Sequence, residues 1–74
     1  MTDRNALPPL NALRAFDAVM RARSFRGAAD DLRVSPQAVS QQVRHLESVL
    51  GLTLFERRGG AAEPTEAALL LGHY

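Results

Sequence analysis

The sequence predicts a mainly α-helical winged helix-turn-helix, with a three-helix core, a short β-hairpin wing and the start of a further helix. Three observations predict it. Ser35-Pro36 and Gly51 bracket a strongly amphipathic segment, and only Arg33 and Val34 separate it from a shorter helical stretch before it. A loosely alternating run ending in Gly59-Gly60 then follows. Two helices at a tight turn and then a hairpin, in that order, outline this fold.

The segment between residues 35 and 51 is the best marked. Ser35 is a good N-cap, Pro36 suits the first helical position because its missing N–H has no partner there, and Gly51 sits where a left-handed C-terminal cap belongs. Between them Val39, Val43, Leu46 and Leu50 recur at spacings of four, three and four, which is one apolar stripe at the helical period. Opposite lie Gln37, Ser40, Gln41 and Arg44, all able to hydrogen-bond and only one of them charged. The polar face of an amphipathic helix is by default simply solvated. Side chains of this kind are also the ones that read base edges in a DNA groove.

Upstream, Ser24 caps a stretch running to Leu32, with Phe25, Ala28, Ala29 and Leu32 on one face and Arg26, Asp30, Asp31 and Arg33 mostly outside it. The paired alanines permit close helix packing. Gly27 costs such a helix on the order of 1 kcal/mol relative to alanine. Either the helix bears that cost or a neighbour comes close at this point. A first helix is expected from about Leu10 to Ala22, after Pro8-Pro9 and an Asn11 able to bond locally, with Leu13, Phe16 and Met20 as its core stripe.

Downstream, Leu52 to Arg58 alternates, Gly59-Gly60 makes a hairpin tip, and Ala61 to Glu63 returns. Arg57 and Arg58 are adjacent, so on a strand they point to opposite sides, and one of them can reach a phosphate or the minor groove. Taken alone, two solvated arginines are the plainer reading. Thr65, after Pro64, caps a last helix, and Glu66 is well placed against its dipole.

These residues together resemble the N-terminal DNA-binding domain of the LysR-type transcriptional regulators of bacteria. The likeness is carried by Leu13 and Phe16, Ser24-Phe25 with Ala28-Ala29 and Leu32, Val34-Ser35 leading into Ala38-Val39-Ser40, Gln42-Val43, Leu46-Glu47, and Leu50-Gly51 before Leu54-Phe55-Glu56-Arg57-Arg58. Thr65-Glu66-Ala67 is similar to the start of the family's linker helix. The likeness runs from Pro8 to about Ala67.

The resemblance implies sequence-specific binding of double-stranded DNA for transcription regulation, through Ser35, Pro36, Gln37, Ser40, Gln41, Arg44, Arg57 and Arg58. The helix from Ser35 would enter the major groove, with Ser35, Gln37, Ser40 and Gln41 near bases and Arg44 near phosphate, and the wing arginines would lie at the adjacent minor groove. It also implies a homodimer. The family's linker helix pairs with that of a second subunit, and Leu69, Leu70 and Leu71 cannot all face one small core, so these three form the expected dimer surface.

The chain departs from the family pattern at three places along it. Position 41, often arginine, is Gln; the wing tip reads Gly59-Gly60-Ala61-Ala62 without a further basic residue; and Ala68 replaces a usual glycine. Residues 1–7 read as a flexible arm, 8–64 as the winged domain and 65–74 as a truncated linker or dimerisation helix. Full regulators of this type carry a larger effector-binding domain that this chain lacks, so no small-molecule effector site is expected in it.

Composition sets the remaining bounds. With 74 residues, no Cys, no long apolar run and no signal-peptide pattern at the start, a single cytoplasmic domain without membrane contact is expected. Neither a metal nor another cofactor is expected: His45 sits one residue before Leu46, His73 lies near the chain end, and no ligand cluster forms around either. Asp30 and Asp31 diverge on a helix and make no paired carboxylate site, so no enzyme is expected. The net charge of +1 is modest for a nucleic-acid binder. All nine basic residues are arginines, however, and Arg44, Arg57 and Arg58 fall on the proposed reading elements. The leucine-rich tail supports a second reading, a protein-interaction winged helix that pairs with full-length regulators.

Overall fold

A computed structural model of the chain describes residues 11–72. They form α1 (Ala12–Ala22), α2 (Phe25–Leu32), α3 (Pro36–Leu50), β1 (Phe55–Arg58), β2 (Ala61–Pro64) and α4 (Glu66–Leu71). The expected arm at 1–7, Leu10 and His73 lie outside the described residues.

Every helix starts on a side-chain cap that the sequence supplies. The side-chain oxygen of Asn11 accepts from Arg14 N (2.8 Å), that of Ser24 from Gly27 N (2.8 Å), that of Ser35 from Ala38 N (3.1 Å) and that of Thr65 from Ala68 N (3.2 Å). Each satisfies a backbone donor that the first helical turn leaves open. Helix α1 therefore begins two residues later than expected, because the cap is Asn11. Gly51 closes α3 at φ 70°, its N–H donating to Glu47 O (2.8 Å). Arg23 and Arg33 close α1 and α2 in the same left-handed region, at φ 60° and 61°. The second of these makes the sharp turn between α2 and α3.

The core lies where α1, α2 and α3 meet under the hairpin. Its α1 face is Ala15, Phe16, Ala18 and Val19, and its α3 face is Val39 and Val43. Ala28 and Ala29 of α2 are buried as expected. Leu13, expected in the core, is 65% exposed. At about 100° per residue it sits about 140° from the middle of the buried α1 face. Ala15, Phe16, Ala18 and Val19 take the inward side, which leaves Leu13 on the outside. Met20 packs at the core's edge. Leu50, the expected end of the α3 stripe, is 41% exposed, because the last turn of α3 runs past the core.

Gly27 proves to be a close-approach position. A Cβ there would stand 2.8 Å from Ser24 Oγ and 3.1 Å from Ala22 Cβ. The chain tolerates a glycine in α2 because the cap and the end of α1 fill the space.

The hairpin pairs antiparallel in the register Phe55↔Pro64, Glu56↔Glu63, Arg57↔Ala62 and Arg58↔Ala61, with Gly59-Gly60 at the tip. The return strand extends one residue beyond the expected Glu63. All three phenylalanines of the chain join it to the helices: the ring of Phe55 lies 5.8 Å from that of Phe16 and 6.1 Å, edge-on, from that of Phe25. Ala62 N donates to Arg23 O (2.9 Å), which ties β2 to the turn between α1 and α2. In α4, Leu71 packs against the chain's own core, and Ala68 is fully buried.

Candidate nucleic-acid interface

Helix α3 turns Val39 and Val43 inward, so geometry obliges Gln37, Ser40, Gln41 and Arg44, at successive spacings of three, one and three, to share the outward face. These four line one open surface concavity of about 420 Å³. None of their side chains makes a hydrogen bond or ion pair among the described residues. Four adjacent polar side chains without internal partners form a surface equipped for an outside one. Ser35 is different: its oxygen is engaged by Ala38 N, so its part here is to start the helix. Pro36 carries no N–H, and beside it the Gln37 N–H, at the positive end of the helix dipole, has no intrahelical acceptor.

The two wing arginines separate as the strand pleat requires. Arg57, on the same side as Phe55 and opposite buried Ala62, holds its guanidinium 4.5 Å from the centre of the Phe25 ring. It remains exposed and charged, but its position is set by α2. Arg58 lies on the other side, exposed and without a partner among the described residues. Glu56 and Glu63 face each other across the strands on that same side, so Arg58 is accompanied by two carboxylates. The sequence does not announce this acidic pair, since it arises only from the hairpin register.

Arg21 pairs with Asp17 (3.3 Å) and Asp31 (3.5 Å) across α1 and α2, in exposed contacts worth little to stability. No group of three or more His, Cys, Asp or Glu side chains among the described residues is arranged to hold a metal.

Two residues named in the sequence reading have anchoring contacts that it did not indicate. Glu47 Oε2 accepts from the backbone N–H of Leu54 (2.8 Å) and Phe55 (3.3 Å), and Thr65 Oγ1 donates to Thr53 O (2.7 Å) and Leu54 O (3.2 Å). A signal for the first was present. A carboxylate in the C-terminal part of a helix opposes the dipole, so another bond must justify it.

Residues 10–69 match the model of the bacterial regulatory helix-turn-helix proteins of the lysR family. The chain belongs to this family. Relatives of this lysR-family chain include the glycine cleavage system transcriptional activator of Escherichia coli K12, 55% identical over 60 residues that make up 81% of this chain and 20% of that one. The RuBisCO operon transcriptional regulator of Allochromatium vinosum is 49% identical over 65 residues, 88% of this chain and 22% of that protein. Both are regulators, not enzymes. The lysR-family chain thus spans about a fifth of the length of the curated relatives it matches. Among solved structures it is similar to the BenM_DBD/benA site 1 DNA complex, with TM-score 0.79 and 35% identity over 85% of this chain and 71% of that one. The CbnR_DBD-DNA complex gives TM-score 0.78 and 35% identity, covering 81% and 69%. The winged helix-turn-helix architecture is that of lysR-family DNA-binding domains, and no helix among the described residues is long and apolar enough to cross a membrane.

Proposed function

We propose that this chain binds double-stranded DNA sequence-specifically in the cytoplasm to regulate transcription. Helix α3 lies in the major groove and the wing lies at the minor groove and backbone. The observation that carries this reading is the unpartnered face of Gln37, Ser40, Gln41 and Arg44 on a helix whose other side is locked into the core. A glutamine amide donates and accepts together, as the edge of adenine requires, and such a pair discriminates by about 1 to 3 kcal/mol. Ser40 adds a shorter, less selective contact. Arg44, at the far end of the face, neutralises a phosphate. Arg58 supplies the wing's free cation, while Arg57 approaches the backbone from its seat on Phe25.

The chain acts as a homodimer. Leu69 and Leu70 are 51% and 60% exposed on α4, and a second copy covers them. Two half-sites related by a two-fold axis then double the few phosphate contacts each subunit makes. The same two leucines would serve a chain that pairs with full-length regulators, so the experiment must separate the readings. Purified chain is used to select fragments from a random duplex pool at moderate salt, and the survivors are sequenced. Inverted half-sites support the DNA reading with a dimer. A folded protein that enriches nothing refutes DNA reading by the isolated chain and gives protein contact the lead.

A further inference from the structure

We propose that Glu47 is the residue that positions the wing against the recognition helix α3 and thereby places Arg58 on DNA. The inference rests on the wing reading above. Four backbone N–H groups of the five residues 51–55 converge on this one residue. Gly51 (2.8 Å) and Leu52 (3.1 Å) donate to its carbonyl oxygen, and Leu54 (2.8 Å) and Phe55 (3.3 Å) donate to its Oε2. The first pair ends α3, and the second begins the hairpin.

The bonds to the carboxylate are obligatory ones. Leu54 and Phe55 are 0% and 1% exposed, so their N–H groups cannot turn to water and need an acceptor. A carboxylate is the strongest acceptor a side chain offers to a backbone donor. It is held in the last part of α3, where the helix dipole disfavours it, which marks a role beyond helix formation.

The rest of the hairpin is fastened to other elements. Ala62 N binds Arg23 O before α2, and Thr65 binds Thr53 O and Leu54 O ahead of α4. The Phe55 ring packs on Phe16 and Phe25 from α1 and α2. Among the described residues, Glu47 supplies the only hydrogen bonds between α3 and the hairpin. Losing them leaves the hairpin folded and still tied to α1 and α2, but removes its direct hydrogen bonds to α3 and loosens its fit against that helix. Glu47 thus couples the two elements that must meet the duplex together.

The test is a double-mutant cycle on a duplex that the chain itself selects from a random pool. Dissociation constants and their salt dependence are measured for wild type, Arg58→Ala, Glu47→Ala, the double variant and Glu47→Gln. Loss of one phosphate contact lowers the salt slope by about 0.9, and Arg58→Ala and Glu47→Ala should each do this and weaken binding by about tenfold. In the Arg58→Ala background, Glu47→Ala should add less than about a twofold loss, because the group it positions is gone. Glu47→Gln, which keeps an oxygen of the same reach, should fall between wild type and Glu47→Ala. Should Glu47→Ala not fold, Glu47→Gln replaces it in the cycle, with the Leu54 and Phe55 amide signals expected to shift. A Glu47 effect that persists in full without Arg58, or amide signals that stay put, overturns the proposal. If Arg58→Ala alone changes neither affinity nor slope, the wing reading itself fails and takes this inference with it.

Discussion

Replacing Gly27 by alanine sets helix propensity against packing, and the structure fixes the sign. Propensity alone favours alanine by about 1 kcal/mol inside a helix. The added Cβ, however, would meet Ser24 Oγ at 2.8 Å and Ala22 Cβ at 3.1 Å. Ser24 Oγ is the cap of α2, accepting from Gly27 N itself at 2.8 Å, so displacing it forfeits a bond worth about 1 kcal/mol. Pressing on Ala22 at the end of α1 adds an overpacking cost of at least about 1 kcal/mol. The two costs exceed the gain, leaving Gly27→Ala destabilised by about 1 kcal/mol, and by up to about 2 if the turn between α1 and α2 cannot relax. For a domain of this size that is a fall in Tm of about 5 to 15 °C, read by circular dichroism at 222 nm. In a Ser24→Ala background the cap is already absent, and the same substitution should come out close to neutral. A rise in Tm for Gly27→Ala in the otherwise wild-type chain would refute this reasoning, because helix propensity would then outweigh the contact.

Arg33 holds φ 61° at the turn between α2 and α3, a conformation that glycine adopts without penalty, so Arg33→Gly should raise stability by about 0.5 to 1 kcal/mol in urea titration. A lower midpoint would show that the arginine side chain contributes more than its backbone strain costs. Gln37→Ala with Gln41→Ala should remove about 1 to 3 kcal/mol of base discrimination for each amide while leaving the salt slope unchanged, measured on selected against scrambled duplexes. An unaltered preference removes both residues from the reading surface. Leu69→Glu with Leu70→Glu should convert a sedimenting dimer to monomer without loss of the thermal transition, since both side chains are exposed. Leu71→Glu should instead unfold the chain, because Leu71 packs on the core, and an unchanged mass for the first pair places the interface elsewhere.

Much of this architecture is legible in the chain because its determinants are local. Ser24, Ser35 and Thr65 each bind a backbone N–H three residues onward, and Gly51 receives its φ from its own missing Cβ. Such bonds involve one turn of chain and can be read from spacing alone. The outward face of Gln37, Ser40, Gln41 and Arg44 follows in the same way, since the buried Val39 and Val43 dictate the opposite side of the helix.

The rest waited on contacts between distant residues. The stripe of Leu13, Phe16 and Met20 suggested that Leu13 would be buried, yet the packed helix turns Ala15, Phe16, Ala18 and Val19 inward and leaves Leu13 exposed. Which wing arginine stays free depended on Phe25, some thirty positions earlier, whose ring seats Arg57 and leaves Arg58 exposed. Glu47 gained its meaning only when the chain folded back to bring Leu54 and Phe55 N–H to its carboxylate. Periodicity and capping are properties of a single helical turn, so the order of residues carries them. Burial, register partners and side-chain anchors belong to pairs of surfaces that exist only once the elements have packed.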